Sequence, residues 1–124
     1  MPSALVRIRT PLYPTESKEK VKKAVLNIFP DADIEVEKDA VVGESRDLER
    51  FREILRDLRI RDTARHYLMS HLHDDVMSFS ISKQAAYVGK ISFGGNKPAL
   101  GEIDVEIESK SPEKLIQWLT FTGE

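Results

Sequence analysis

Three histidines, His66, His71 and His73, lie close together with Asp62, Asp74 and Asp75 among them. Imidazole and carboxylate side chains suit divalent metals or proton transfer. The spacing argues against both uses: on a helix rising 1.5 Å per residue, His66 and His73 stand about 10 Å apart, and no HExxH-type pair at i, i+4 occurs. Ordinary exposed histidines are expected, and no metal or cofactor is assigned. Ser70, His71 and Asp74 supply the residue types of a hydrolytic triad without a nucleophile elbow or paired oxyanion donors. No catalytic residue is assigned either, so binding is favoured over catalysis.

The second chemical signal is a run of seven arginines, Arg46, Arg50, Arg52, Arg56, Arg59, Arg61 and Arg65, with no lysine between residues 46 and 65. A planar guanidinium forks onto phosphate and stacks on bases, whereas lysine serves equally well for solubility alone. Asp47, Glu49, Glu53, Asp57 and Asp62 interleave with them, leaving +2 over the stretch, and such interleaving also describes a helix laced with surface ion pairs. At about 100° per residue, Arg52, Arg56 and Arg59 fall on one flank of an apolar stripe and Arg46 and Arg50 on the other. The first cluster is the better phosphate candidate. Gly94–Gly95–Asn96–Lys97–Pro98 looks phosphate-friendly, but it joins two strand patterns and opens no helix, so it reads as a hairpin loop.

The elements that must hold these residues follow from periodicity. Ala4, Val6 and Ile8 alternate with Leu5, Arg7 and Arg9 as a first strand, and Ala32, Ile34 and Val36 with Asp33, Glu35 and Glu37 as a second that extends towards Val42. Val21, Ala24, Val25, Ile28 and Phe29 mark a helix over residues 16–29 that stops at Pro30. Leu48, Phe51, Ile54, Leu55 and Leu58 mark a second helix with Ser45 as its N-cap, and Asp62 is read as the cap of a third. Phe79 and Ile81, then Ile91 and Phe93, then Ile103, Val105 and Ile107 give three more strands. Lys83 to Val88 is alanine-rich and followed by Gly89, which predicts one or two helical turns. Ser111 followed by Pro112 starts a last helix whose Trp118 is expected to pack on the sheet.

The order is α+β. Every strand alternates, so the sheet should be largely antiparallel, with helices packed on one face and the other face wet. That open face is expected to carry Arg7, Arg9 and Lys90 against Asp33, Glu35, Glu37, Glu102, Asp104, Glu106 and Glu108. It offers no aromatic for base stacking and an unfavourable field for phosphate, so nucleic acid must dock elsewhere.

The chain has 124 residues, 40% hydrophobic and 32% charged, enough for one ordinary core. A net charge of −2 creates no whole-protein attraction to nucleic acid or anionic membrane. Zero cysteines exclude disulfides and thiolate chemistry and fit a reducing compartment, which makes the cytoplasm the expected location. The longest apolar run, Ala85 to Val88, is far short of the roughly 20 residues of a membrane helix, and no membrane partner is expected. A single domain over residues 1–124 is the expectation.

Two stretches, Arg61–Asp62–Thr63–Ala64–Arg65 and Phe79 through Lys90 with its Ser82–Lys83–Gln84–Ala85–Ala86–Tyr87–Val88–Gly89 centre, resemble the archaeal uncharacterised protein family 0201. The resemblance extends over essentially the whole chain, including Arg7 and Arg9 near the start and Gly101–Glu102–Ile103–Asp104–Val105. It implies a fold like that of ribosomal protein L-five and a distant relation to archaeal proteins assigned to RNA binding near the exosome. It implies no catalytic role for any residue.

Two functions remain from different classes. The first is an RNA-associated binding domain that uses Arg52, Arg56, Arg59 and Arg65, with Lys83, Tyr87 and Lys90 beside them. The second is a protein-interaction or homodimeric module in which the arginines pair acidic residues across an interface. One continuous positive surface favours the first, and alternating charge favours the second.

Overall fold

The computed structural model describes residues 1–94 and 102–121. The loop expected at Gly94–Pro98 falls almost wholly outside the described residues. Strand β1 (Leu5–Pro11) is followed by helix α1 (Lys18–Ile28), strands β2 (Asp33–Val36) and β3 (Ala40–Ser45), and helices α2 (Glu49–Asp57) and α3 (Arg61–Ser70). Strands β4 (Leu72–His73) and β5 (Val76–Ile81), helix α4 (Lys83–Tyr87), strand β6 (Ile103–Glu108) and helix α5 (Pro112–Thr120) complete the order. The six strands form one open sheet in the order β2-β3-β1-β6-β5-β4, and every neighbouring pair is antiparallel.

Alternation decides the faces. Val6, Ile8, Met77, Phe79, Ile81, Ile103, Val105 and Ile107 are buried together with Val25, Ile28, Phe51, Leu55, Leu68, Leu115 and Leu119 of the helices. Phe51 lies at the centre of this seam: its ring stacks on Phe29 at 6.0 Å and meets Phe79 and Phe93 edge-on at 6.2 and 6.4 Å. The α+β class, the antiparallel sheet and its one-sided helical cover are therefore as the periodicity predicts.

The other face runs in rows of alternating charge. Register places Arg7 between Glu44 and Glu106, with Asp33 and Ser78 beyond them. The next row runs Glu35, Val42, Arg9, Asp104 and Ser80. Arg7 donates to Glu106 and Glu108 at 3.2 and 3.1 Å, and Arg9 to Glu37 at 3.3 Å. The expected acidic face is present, except that Lys90 follows α4 and is not part of it.

Several element boundaries differ from expectation. The second strand pattern is a hairpin of two strands, turned over residues 37–39, where Glu37 N–H bonds Ala40 O at 2.8 Å. Ser45 does not cap α2: it ends β3, and its hydroxyl bonds Asp31 instead. Asp62 lies within the first turn of α3, and Ile60 holds the cap position. Ile91–Phe93 forms only an isolated bridge to Ile81. The outer edge of β5 is already shared by β4 and by His71, whose carbonyl accepts from Ser78 N–H at 3.3 Å, so little edge remains to pair.

Helix α4 forms as predicted, capped at its start by the Ser82 hydroxyl and closed by Gly89 at φ +77°. Helix α5 starts at Ser111–Pro112, but Leu115, Ile116 and Leu119 take its buried positions. Trp118 stands about a quarter-turn or more from their centre at 100° per residue. It is half-buried, packed against the core cluster, with the Arg52 guanidinium of α2 over its ring at 4.6 Å.

Candidate functional site

The sequence-named arginines separate on folding. On α2 the apolar stripe of Phe51, Ile54 and Leu55 faces the core. At about 100° per residue this puts Arg50 and Asp57 on one flank, Arg52 on the other, and Glu49, Glu53 and Arg56 towards the crest between them. Charge therefore alternates across the helix. Arg52 covers Trp118, Arg56 bonds Asp57 at 3.3 Å and Arg50 approaches Glu53 at 3.8 Å.

Arg59 is not on the helix at all. It occupies a left-handed position, φ +57°, immediately after the C-cap Leu58. Its N–H bonds Arg56 O at 3.0 Å and Ile60 N–H bonds Leu55 O at 3.1 Å, the paired closure of a Schellman motif. A β-carbon is disfavoured there, so Arg59→Gly is expected to raise stability by about 1 kcal/mol. A urea midpoint unchanged or lowered in that variant would contradict the assigned turn.

Arg61 and Arg65 brace the far end of the chain. The last carbonyls of α5 have no partner within the helix, and these two arginines supply donors. Arg61 bonds Phe121 O at 3.1 Å, while Arg65 bonds Thr120 O at 3.0 Å and Thr120 Oγ1 at 3.2 Å.

Lys83, Tyr87 and Lys90 gather around α4, which packs against α1. Lys83 is largely buried, with 13% of its side chain exposed. Its ammonium donates to Pro11 O at 2.8 Å and to both Glu16 carboxylate oxygens at 3.0 and 3.1 Å. Burial acts to raise the Glu16 carboxyl, but the Tyr13 N–H and the Lys83 hydrogen bond and charge together hold it below the ordinary range. Burial also pushes Glu102 up against the opposing charge of Lys83, with Asp104 adding to the rise. Lys83 is thus a structural tie between α4 and the β1–α1 turn.

Tyr87 sits differently. Asn27 on α1 donates to the carbonyls of Ala86 and Tyr87, both at 3.0 Å, and so fixes the end of α4 beside the α1 flank that carries Lys20 and Lys23. The Lys23 ammonium lies 5.0 Å from the Tyr87 ring centre. Two hollows meet at this ring. One of about 390 Å³ is lined by Ser17, Lys20, Val21, Ala24 and Lys83. The other, of about 590 Å³, is lined by Lys23, Leu26, Asn27, Arg50 and Val88. Lys90 is exposed just beyond Gly89.

The lysines of α1 escaped the reading of the sequence. Lys18, Lys20, Lys22 and Lys23 face a single Glu19 within the helix, and among the described residues none of the four is in an ion pair. The sequence signal for them is Lys-Glu-Lys-Val-Lys-Lys, four cations against one carboxylate within six residues.

A third hollow, of about 430 Å³, lies where the open sheet face meets α3, lined by Arg7, Arg9, Tyr67, His71, Ser80, Asp104 and Glu106 among others. Burial raises Asp104, offset in part by Arg9, and raises Tyr67 against the hydrogen bond to Ser80. His71 Nδ1 is 2.7 Å from Tyr67 O, which places its proton on that nitrogen. The Ser70 hydroxyl gives its own proton to Tyr67 O at 2.8 Å, so His71 Nδ1 is not a base for it. Among the described residues no group of three or more His, Asp or Glu is arranged to hold a metal ion, and no helix is long and apolar enough to cross a membrane.

A family model described as RNA binding matches residues 5–109. The chain is 46% identical over 117 residues to a UPF0201 protein of Methanothermobacter thermautotrophicus, a match covering 92% of this chain and 89% of that one. It is 44% identical over 101 residues to a UPF0200/UPF0201 protein of Archaeoglobus fulgidus, covering 81% of this chain but 31% of that longer protein. The crystal structure of an uncharacterised UPF0201 protein superposes with a TM-score of 0.88 at 36% identity, covering 94% of this chain and 92% of that one.

Proposed function

We propose, on the premise that the chain belongs to the UPF0201 family, that it is an RNA-associated binding domain whose phosphate contacts come from the α1–α4 face. The observation that carries this reading is the set of cations that line the two hollows beside Tyr87, Lys20 and Lys23 from α1 and Arg50 from α2, with the exposed Lys90 three residues further along the chain. Glu49 and Glu53 on the crest of α2 stand between Arg50 and the pair Arg52 and Arg56, which form a smaller second cluster. Arg65 and Lys83 hold the fold, and Arg59 closes α2, so these three contribute less directly than their charge suggests.

With a net charge of −2 and an acidic sheet face, attraction to phosphate is local and the affinity modest. Each neutralised phosphate releases counterions, giving a logarithmic salt slope of about 0.7–0.9 per contact. Replacing Lys20, Lys23 and Arg50 together by glutamine is expected to lower affinity at least tenfold at low salt and flatten the slope by about 2. Replacing Arg52 and Arg56 by glutamine should cost less. Fluorescence anisotropy with labelled RNA across a salt series measures both. Equal affinity and slope in the lysine variant would remove the α1–α4 face from consideration.

A second reading, a protein-interaction or homodimeric module, draws on the Archaeoglobus fulgidus protein, where a similar segment occupies about a third of a longer chain. The alternating charge of α2 and the carboxylate rows of the open sheet suit a protein surface. In that case the wild type shows no saturable RNA binding even at low salt.

A further inference from the structure

We infer that Tyr87 is a stacking platform for an unpaired base, so that the ligand of the α1–α4 face is single-stranded RNA. The inference rests on the RNA reading above and adds to it the form of the nucleic acid. Its basis is the position of one half-buried aromatic ring between two hollows, with the Lys23 ammonium over the ring at 5.0 Å, which an incoming base displaces towards its own phosphate. The smaller hollow is lined by the buried Val21 and Ala24 together with polar Ser17, Lys20 and Gln84 and the Glu16–Lys83 pair. A flat base fits such a slot: ring faces are covered by apolar surface while phosphate and sugar remain near cations. The larger hollow holds Lys23 and Arg50 on the other side of Tyr87, with Leu26 and Val88 both exposed, Val88 to 65%.

The cations are arranged for one strand. Lys20 and Lys23, three residues apart, are separated by about 4.5 Å of helix rise, and Arg50 lines the second hollow with Lys23. A duplex presents its bases edge-on within grooves and offers no ring face to Tyr87. The backbone at Tyr87 is held by Asn27 and Gly89, so the ring is presented in advance of binding.

The test compares a labelled single-stranded RNA of mixed sequence with the same strand annealed to its complement. Anisotropy is used for affinity, and quenching of a 2-aminopurine placed within the strand reports stacking. Tyr87→Leu retains apolar bulk against the core without a π face, and Tyr87→Phe restores the face; circular dichroism confirms that both are folded. The wild type is expected to prefer the single strand by at least fivefold. Tyr87→Leu should weaken single-strand binding about tenfold and abolish the quench while leaving duplex binding unchanged, and Tyr87→Phe should restore both. Saturable RNA binding that Tyr87→Leu leaves unchanged, or lowers equally for both RNAs, overturns this inference alone. Absence of saturable binding by the wild type to either RNA overturns the RNA reading and this inference with it.

Discussion

Phe51→Ala is expected to cost about 3–5 kcal/mol of folding stability, the range for removing a large aromatic from a packed interior. Phe51 is fully buried and meets Phe29 from α1's end, Phe79 from β5 and Phe93 from the segment after α4. Its truncation removes apolar area and also leaves a space bounded by three separate elements. Those rings are fixed by their own helices and strands, so collapse into the space is limited and the cavity term adds to the transfer term. Urea denaturation checks the result: the midpoint should fall with an unchanged slope. A loss below about 1 kcal/mol, the range of surface substitutions, would mean that the α2–sheet seam is not the core.

Lys83→Met is expected to cost about 2–3 kcal/mol near neutral pH. Charge-assisted hydrogen bonds contribute more than neutral ones, and removal of one partner leaves Glu16 and the Pro11 carbonyl poorly satisfied in a mostly buried setting. The pH dependence distinguishes this from simple loss of packing. The Glu16 carboxyl is held below its ordinary value in the folded protein, so its contribution is present above the unfolded carboxylate range and disappears as pH falls through the folded value. The gap between wild type and variant should therefore narrow as acid is added.

Glu102 and Asp104 work in the opposite sense. Burial raises both carboxyls, so their protonation stabilises the fold as pH falls through their raised values, before Glu16 is lost. Removing the Lys83 charge should push Glu102 higher still. Denaturant melts of wild type and Lys83→Met across the acid range measure these effects, and a pH-independent difference would show that the tie is not electrostatic.

Helix and strand identities were legible where a local pattern repeats. The i, i+3, i+4 apolar spacing of α1, the Ser111–Pro112 start of α5 and the alternation of β1, β5 and β6 depend on residues within one or two turns or along one strand. The same patterns show which face of each element is apolar, and hence the one-sided sheet and the acidic surface around Arg7 and Arg9. Boundaries were less legible where the turn lacks glycine or proline. Residues 37–39 break β2 from β3 without such a residue, and the single pattern across them looked continuous.

The roles of the charged residues were decided elsewhere. Arg50, Arg52 and Arg59 share one short stretch of sequence, yet one faces the α1–α4 hollow, one covers Trp118 and one closes a helix. Lys83 appears in sequence as an exposed cation of a short helix, but Pro11 and Glu16, 72 and 67 residues away along the chain, make it a buried tie. Arg65 is likewise committed by Thr120, 55 residues away. Sequence by itself determined the elements, their apolar faces and the total charge, because these depend on composition and short-range period. Only the tertiary structure decided which cations remain available and that Tyr87 stands among them, because an ion pair depends on which distant partner the topology brings within hydrogen-bonding reach.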